Sequence, residues 1–155
     1  MAHIHELIDF VVNAYIVNND RVLLIFHKKL QRWLCIGGHI ELDEDPEEAL
    51  LREIKEECGL EVEILAQKPE GNFRENKFLY TPNYLDIHKL NPDFKHRHIA
   101  LTYFCRALSD KFTLAKDEHE DIRWFREDEL DDPKYDVLDS VKFLSKAALK
   151  ALSKN

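Results

Sequence analysis

A short acidic segment of this chain has the residue types and spacing that suit metal chemistry. Eleven of the thirty carboxylates lie between residues 41 and 63, where only two basic residues occur. At about 100° per residue, a helix would place Glu53, Glu56 and Glu57 along one strip of its surface. Like charges at this spacing repel one another, and a hard divalent cation with oxygen ligands would offset the repulsion. A solvated charged helix face is the alternative for the acidic string taken alone.

The residues around this strip predict where the helix begins and ends. Asp45 is a strong N-cap, Pro46 suits the first helical position, and Glu48 is placed to complete a capping box. Gly59 lies where a residue in the left-handed conformation would close the helix. The pattern therefore predicts a helix over residues 46–58. Within it, Arg52 is spaced to pair with Glu56 at i+4 or to reach Glu44 before the helix.

The same segment resembles the Nudix box, the signature Gly-x5-Glu-x7-Arg-Glu-U-x-Glu-Glu-x-Gly-U, in which U is a bulky aliphatic residue. The constrained positions are matched by Gly38, Glu44, Arg52, Glu53, Ile54, Glu56, Glu57, Gly59 and Leu60. The match is specific over residues 38–60 and weaker over the remainder of about 8–145. One departure is Ile36, where many members of the family have proline before the two glycines.

The resemblance implies an α/β (α+β) fold, in which a mixed, curved β-sheet lies between helices in an α/β/α sandwich. It also implies Mg²⁺ or Mn²⁺ as the cofactor, and hydrolysis of a diphosphate linkage by attack of water on phosphorus. Glu56 and Glu57 are the first expected metal ligands, and Glu53 is a further ligand or the base that deprotonates the water. The Gly37 carbonyl is expected to add a ligand, since glycine allows close backbone approach. Arg52 completes the expected catalytic group, and the residues expected to support the box are Gly38, Glu44 and Gly59.

One further acidic ligand is expected from a loop far along the chain. Glu118, Glu120 and Asp121 are the candidates. We prefer Glu120 because it closely precedes the strand predicted from Ile122. A solvated loop acid is the alternative reading for each.

The residues that contact a substrate are less well defined by the sequence than those of the box, because they match no spaced pattern. Arg74 is a candidate for a phosphate contact, and Phe78 and Tyr80 are candidates for stacking on a base. Ordinary core or surface positions are the alternative for all three. The histidines at 27, 39, 88, 96 and 98 have no spacing that matches a zinc motif, so surface or core positions are expected for them.

Strands must position the box, and segments rich in apolar, β-branched and aromatic residues predict them. The predicted strands cover residues 10–17, 21–27, 60–65, 84–90, 98–107 and 122–125, and the first two are expected to form a hairpin through a turn at 18–20. A single helical turn is predicted at 126–130, and an amphipathic helix over 136–152.

Composition limits the class of protein. The chain of 155 residues, with 45% apolar and 34% charged residues, is typical of a soluble globular protein, and we expect a single domain over 1–155. The chain has no apolar run of 18 residues, and its first ten residues lack the pattern of a signal peptide. Three scattered cysteines indicate reduced thiols and a cytoplasmic protein. The net charge of −8 argues against nonspecific binding to nucleic acid.

Two classes of function remain open at this point. The first is a Nudix pyrophosphohydrolase, with a MutT-like enzyme acting on nucleoside triphosphates preferred, and dinucleoside polyphosphates, nucleotide sugars or ADP-ribose as other substrates. The second is a Nudix-like domain that senses a nucleotide without cleaving it. Such domains usually lose acids of the box, whereas this chain keeps them all. The expected partner is a small nucleotide or another diphosphate, and the expected assembly is a monomer or a homodimer.

Overall fold

The computed structural model describes residues 5–71, 73–89, 91–93 and 95–152. The described residues form four strands, a helix, four further strands and two helices, in that order. The strands are β1 (Ile8–Asn18), β2 (Arg21–His27), β3 (Arg32–Leu34), β4 (Ile36–His39), β5 (Val62–Ile64), β6 (Tyr84–His88), β7 (Arg97–Ala107) and β8 (His119–Arg126). The helices are α1 (Pro46–Glu57), α2 (Glu127–Leu130) and α3 (Asp139–Leu152).

The strands form one mixed sheet with the order β3-β2-β1-β7-β5, to which β4, β6 and β8 add by pairing with β1, β7 and β2. At its centre, β1 and β7 run parallel over ten paired positions, from Ile8 opposite Arg97 to Val17 opposite Arg106. The other pairings within this sheet are antiparallel. The mixed sheet expected from the sequence is therefore confirmed.

Successive side chains of β1 point to opposite faces of the sheet, so both faces are apolar. A helix covers each face. One core lies between the sheet and α1 and includes Val12, Ala14, Ile16, Leu50 and Ile54. The other lies between the sheet and α3 and includes Tyr15, Val17, Val141, Leu144 and Ala148. The predicted α/β/α sandwich is therefore confirmed, and α1 is held rigidly against the strand that carries the two glycines.

The prediction missed two short strands, β3 and β4, and the other elements differ from the observed ones mainly at their ends. The last helix begins at Asp139 rather than at 136, because Asp136 has a φ of 47°, which a right-handed helix excludes. Strand β8 begins at His119, three residues before the predicted start. The strand predicted over 84–90 ends at His88, and position 90 lies outside the described residues. Within the described residues, no helix is long and apolar enough to cross a membrane.

Candidate active site

Both ends of α1 have the local chemistry that the sequence predicts. The Asp45 carboxylate accepts hydrogen bonds from the amides of Glu47 and Glu48, at 2.9 and 3.0 Å, and the Glu48 carboxylate accepts one from the Asp45 amide at 2.8 Å. Pro46 occupies the first turn. At the other end, Gly59 has a φ of 67°, and its amide donates to the carbonyl of Ile54. The capping box and the left-handed glycine are confirmed, so the acidic helix begins and ends where its sequence predicts.

Arg52 joins the loop, the helix and the sheet through one guanidinium. Its Nε and Nη2 donate to the two carboxylate oxygens of Glu44, at 2.5 and 2.9 Å. Its Nη1 donates to Glu53 at 2.7 Å and to Glu56 at 3.2 Å, and Nη2 also donates to the backbone carbonyl of His39 at 3.0 Å. The guanidinium lowers the pKa of Glu44, which keeps that carboxylate charged. The planar fork of arginine therefore fixes three carboxylates relative to β4.

Glu53 is the most deeply placed of these acids. Its side chain is 3% exposed, and burial, with the charge of Glu57 as a smaller cause, raises its pKa from 4.5 to about 7 although Arg52 opposes the shift. A Cβ added at Gly38 would lie 2.2 Å from Oε1 of Glu53. The glycine of β4 therefore leaves the space that the Glu53 carboxylate occupies.

Glu57 lies in a second buried position beside the same strand. Its Oε2 accepts a hydrogen bond from the Gly37 amide at 3.0 Å, and its Oε1 lies 3.1 Å from Nε2 of His119. Burial raises the pKa of Glu57, and the hydrogen bond with His119 opposes that shift. One ligand atom each from Glu57, Glu118 and His119 lie within 4.8 Å of one another.

Glu56 extends toward solvent from the same helical strip, with a side chain that is 59% exposed. The buried carboxylates of Glu53 and Glu57 thus border the glycines of β4, and the exposed carboxylate of Glu56 is joined to Glu53 through Arg52. These donors are oxygens, which suit a hard cation such as Mg²⁺ that retains water and phosphate oxygens in its coordination sphere. Burial raises the pKa of both Glu53 and Glu57, and a bound cation would stabilise their charged forms.

The preferred distal acid, Glu120, has a different environment. Its carboxylate accepts a hydrogen bond from the side chain of Gln31 at 2.9 Å, whereas Glu118 groups with Glu57. The register between β2 and β8 shifts between Phe26 and His27, so that His27 pairs with His119 and position 120 is skipped. This bulge turns His119, rather than Glu120, to the face that α1 covers. Strand alternation counted back from Ile122 does not reveal this, so the sequence reasoning missed His119.

The three predicted substrate contacts lie in the segment that precedes β6. The Tyr80 amide donates to the Glu47 carboxylate at 2.8 Å, which attaches this segment to the first turn of α1. Phe78 packs edge-to-face on Phe73, with 5.1 Å between ring centroids, and Arg74 is exposed. The structure therefore brings Tyr80 near the beginning of the helix, but it does not gather the three residues around one pocket.

A cavity of about 710 Å³ opens beside the loop that leads into α1. Its walls are mainly apolar, and its volume is in the range of small-molecule sites. The lining includes Phe10, Ile40, Leu42, Pro82, Leu85 and Leu101. Glu41 and Pro46 also line it, so the cavity adjoins the segment that carries the acids.

The capped acidic helix and the glycines beside its carboxylates lie well inside the part of the chain that matches a known family. The model of the NUDIX domain matches residues 9–147. The chain therefore belongs to the NUDIX family.

Solved structures share the fold over nearly the whole chain. A hydrolase of the NUDIX family from Clostridium perfringens is 29% identical, with a TM-score of 0.78, and the match covers 93% of this chain and 97% of that one. A MutT NUDIX hydrolase from Burkholderia pseudomallei is 25% identical, with a TM-score of 0.68 and coverage of 95% and 99%.

A curated relative matches a shorter part of the chain. The protein named "Probable DHNTP pyrophosphohydrolase" from Lactococcus lactis subsp. cremoris is 26% identical over 104 residues. The match covers 67% of this chain and 57% of the relative's own length.

Proposed function

We propose that this protein is a Mg²⁺- or Mn²⁺-dependent pyrophosphohydrolase that cleaves a diphosphate linkage in a nucleoside triphosphate or a related derivative. The observation that carries the proposal is the complete set of box acids. Arg52 donates hydrogen bonds to Glu44, Glu53 and Glu56. Glu57 accepts one from the Gly37 amide of β4. A domain that only sensed a nucleotide would have no need of this set.

Glu56, Glu57 and the Gly37 carbonyl are the proposed metal ligands from the box. A bound divalent ion would neutralise charge on the phosphate oxygens and lower the pKa of a bound water. Glu118 suits the distal ligand better than Glu120, since Glu118 lies with Glu57 whereas Glu120 is bonded to Gln31.

Glu53 is the proposed base for the attacking water. It is almost fully buried, and the hydrogen bond from Arg52 to Oε1 orients its carboxylate. Arg52 also fixes Glu44 and the His39 carbonyl, so the base is positioned by both the loop and β4. Its proximity to the ligands would let it take the water's proton within the same site.

The apolar cavity beside Glu41 and Leu42 is the proposed position of the organic part of the substrate. A base or another flat ring would bury its faces against the apolar walls, while its phosphates extend toward the acids. Tyr80 and Phe78 lie on the neighbouring segment and are proposed to limit the length of substrate that fits. We also propose a cytoplasmic location, which the free thiols of Cys58 and Cys105 support.

The test is release of phosphate or pyrophosphate from a panel of nucleotides with Mg²⁺, Mn²⁺ or EDTA. The panel contains nucleoside triphosphates, DHNTP, dinucleoside polyphosphates, nucleotide sugars and ADP-ribose, and turnover in H₂¹⁸O identifies the phosphorus that is attacked. We expect metal-dependent turnover that is highest for a triphosphate. Binding of a nucleotide in calorimetry without turnover of any member would instead support the sensor.

A matched pair of variants separates the site from the fold. Glu57→Gln removes a proposed ligand, whereas Glu63→Gln changes an exposed carboxylate on β5 that pairs with Arg106. We expect only the first to abolish turnover, with both chains retaining their circular dichroism spectra. Equal turnover in the two variants would contradict the assignment.

A further inference from the structure

A second group of possible metal ligands lies outside the acids of the box. It consists of Asp9 on β1, His39 at the end of β4, His96 before β7, and His98 on β7, and is called here the histidine cluster. Sheet register brings these residues together, because Asp9 pairs with His98 across the parallel strands. His39 pairs with Val11, which shares a face with Asp9.

The donor atoms of the histidine cluster converge on one point. Oδ2 of Asp9 lies 3.2 Å from Nε2 of His39 and 3.2 Å from Nε2 of His96. One ligand atom from each of the four residues lies within 4.8 Å of every other. Four ligands of a tetrahedral zinc ion, with Zn–N distances of about 2.0–2.1 Å, lie roughly 3.3 Å apart. The two separations from Asp9 match this spacing, and the other ligand atoms lie within 4.8 Å of one another.

Neighbouring backbone groups orient two of these ligands. The Nδ1 atom of His96 lies 3.0 Å from the carbonyl oxygen of Glu6, a geometry in which a proton on Nδ1 would be donated to that carbonyl and Nε2 would be left to bind an ion. The amide of His5 donates to Oδ1 of Asp9 at 2.7 Å, while Oδ2 faces the histidines. An imidazole whose second nitrogen donates to a carbonyl is the usual support of a metal-ligating histidine.

We propose that the histidine cluster is a four-coordinate site for Zn²⁺ or a similar borderline transition-metal ion, separate from the acids that serve the hydrolysis. Three imidazoles and one carboxylate are a donor set that suits Zn²⁺ and discriminates against Mg²⁺, which prefers oxygen. Asp9 is 1% exposed, His98 is 4% exposed and His39 is 9% exposed. His96 is half-buried, and Asp9 also lines the apolar cavity proposed for the substrate. Burial of the other donors is typical of a structural zinc site.

The site would stabilise the strand on which the active site depends. A bound ion would join β1, β4 and β7 through His39, whose backbone carbonyl accepts the hydrogen bond from Arg52. The amide of Arg97 donates to the carbonyl of Leu7, which already joins the beginning of β1 to β7. A bound ion would strengthen this junction, because Asp9 lies on β1 and His98 on β7. Zinc binding is therefore a contribution to folding stability and to the position of β4.

The direct test is titration of the metal-free full chain with Co²⁺, followed by displacement with Zn²⁺. Tetrahedral Co²⁺ has strong visible absorption bands, whereas six-coordinate Co²⁺ at a carboxylate site absorbs weakly. We expect the strong bands at one ion per chain, with loss of the bands on addition of one equivalent of Zn²⁺. Glu57→Gln, which lies in the box, should leave this spectrum unchanged.

Variants locate the ion. His96→Asn and His98→Asn should each weaken Zn²⁺ binding, measured by competition with a chromophoric chelator, by more than roughly a hundredfold, beyond the effect of losing an outer-shell partner. The control is His88→Asn, because the His88 ring packs beside that of His98, with 5.9 Å between centroids, but lies outside the four ligands. His96→Cys supplies a thiolate ligand in place of the imidazole. It should therefore bind Zn²⁺ more tightly than His96→Asn does, and it should add a sulfur-to-Co²⁺ charge-transfer band.

Three results would overturn the proposal. They are a weak, six-coordinate Co²⁺ spectrum from the unaltered chain, an unchanged spectrum in His98→Asn, and equal zinc affinity in His96→Asn and His88→Asn. The spectrum of the unaltered chain decides the matter even where a substitution prevents folding. In any of these cases the four residues form only a buried hydrogen-bonded network.

Discussion

The acids of the box and the histidine cluster both adjoin the short strand β4, yet they differ in the type of donor atom and in how exposed the donors are. The box offers carboxylate oxygens, of which Glu56 is exposed and Glu57 is buried. The histidine cluster offers three nitrogens and one oxygen, almost all buried. An open oxygen site suits a metal that must also hold substrate, whereas a closed nitrogen-rich site suits one that holds the fold.

The two regions also differ in how the chain assembles them. The acids of the box come from one continuous segment at helical spacing, so their geometry is local. The histidine cluster comes from three strands, and its geometry depends on the register between β1, β4 and β7. The comparison shows that proximity in sequence predicts one kind of site and gives no information about the other.

The largest effect expected is on turnover after loss of a box acid. Glu53→Gln and Glu57→Gln should each lower kcat by on the order of 10³-fold or more, since they remove the proposed base and a proposed ligand. His98→Asn should lower kcat by less than about tenfold at a temperature where the variant is folded, because stability is its main role. Steady-state kinetics at saturating Mg²⁺ measure both. A loss of turnover in His98→Asn as large as that in Glu57→Gln would contradict this prediction, because the histidine cluster would then be as necessary for turnover as the acids of the box.

The next effect concerns the arginine that joins the acids to β4. Arg52→Lys keeps the charge, but three donors on one nitrogen cannot replace the five hydrogen bonds that the guanidinium makes, so kcat should fall roughly 10- to 100-fold. Lys55→Arg, on the same helix, is the matched control and should retain normal kinetics. Recovery of full activity by lysine at position 52 would show that charge alone, and not the fork, orients the acids.

A smaller effect is expected in the pH dependence of stability without metal. The folded-state pKa of Glu53 is raised to about 7 and that of Glu57 is also raised, so the folded chain binds protons that the unfolded chain has lost. This stabilisation is complete below the ordinary pKa near 4.5 and is lost as pH rises through the folded pKa. In EDTA, the free energy of unfolding should therefore decline between these two values.

Denaturant unfolding at several pH values measures that decline. Glu53→Gln should flatten it, because the amide does not titrate. Saturating Mg²⁺ should also reduce the pH dependence of stability, because a bound cation stabilises the charged carboxylates without protonation. A pH dependence that is the same in Glu53→Gln and in the unaltered chain would exclude the raised pKa as its cause.

The smallest effect is expected at the helix N-terminus. Asp45→Ala removes acceptors for the amides of Glu47 and Glu48 and should lower the free energy of unfolding by about 1 kcal/mol. Asp45→Asn is the control and should recover most of that loss, because asparagine caps nearly as well. Chemical denaturation measures the free energy of unfolding of each variant. Equal values for the alanine and asparagine variants would contradict the prediction.

Much of the framework could be predicted from the sequence because it depends on short-range rules. The strand at 21–27 is observed with the predicted bounds, and α1 begins and ends at the predicted caps. The pairing of Arg52 with Glu44 and Glu56 also follows the expected spacing. Less predictable was the distal part of the site, since the bulge opposite His27 changes which residue of β8 faces α1.

The sequence by itself determined the acidic helix, its caps and the resemblance that leads to the Nudix family, because these depend on residues within a turn or two of one another. Only the tertiary structure decided that His119 bonds to Glu57 and that Asp9 lies among three histidines. Those contacts join residues that are tens of positions apart. Strand order, register and a single bulge determine such contacts, and none of these is marked in the spacing of the residues involved.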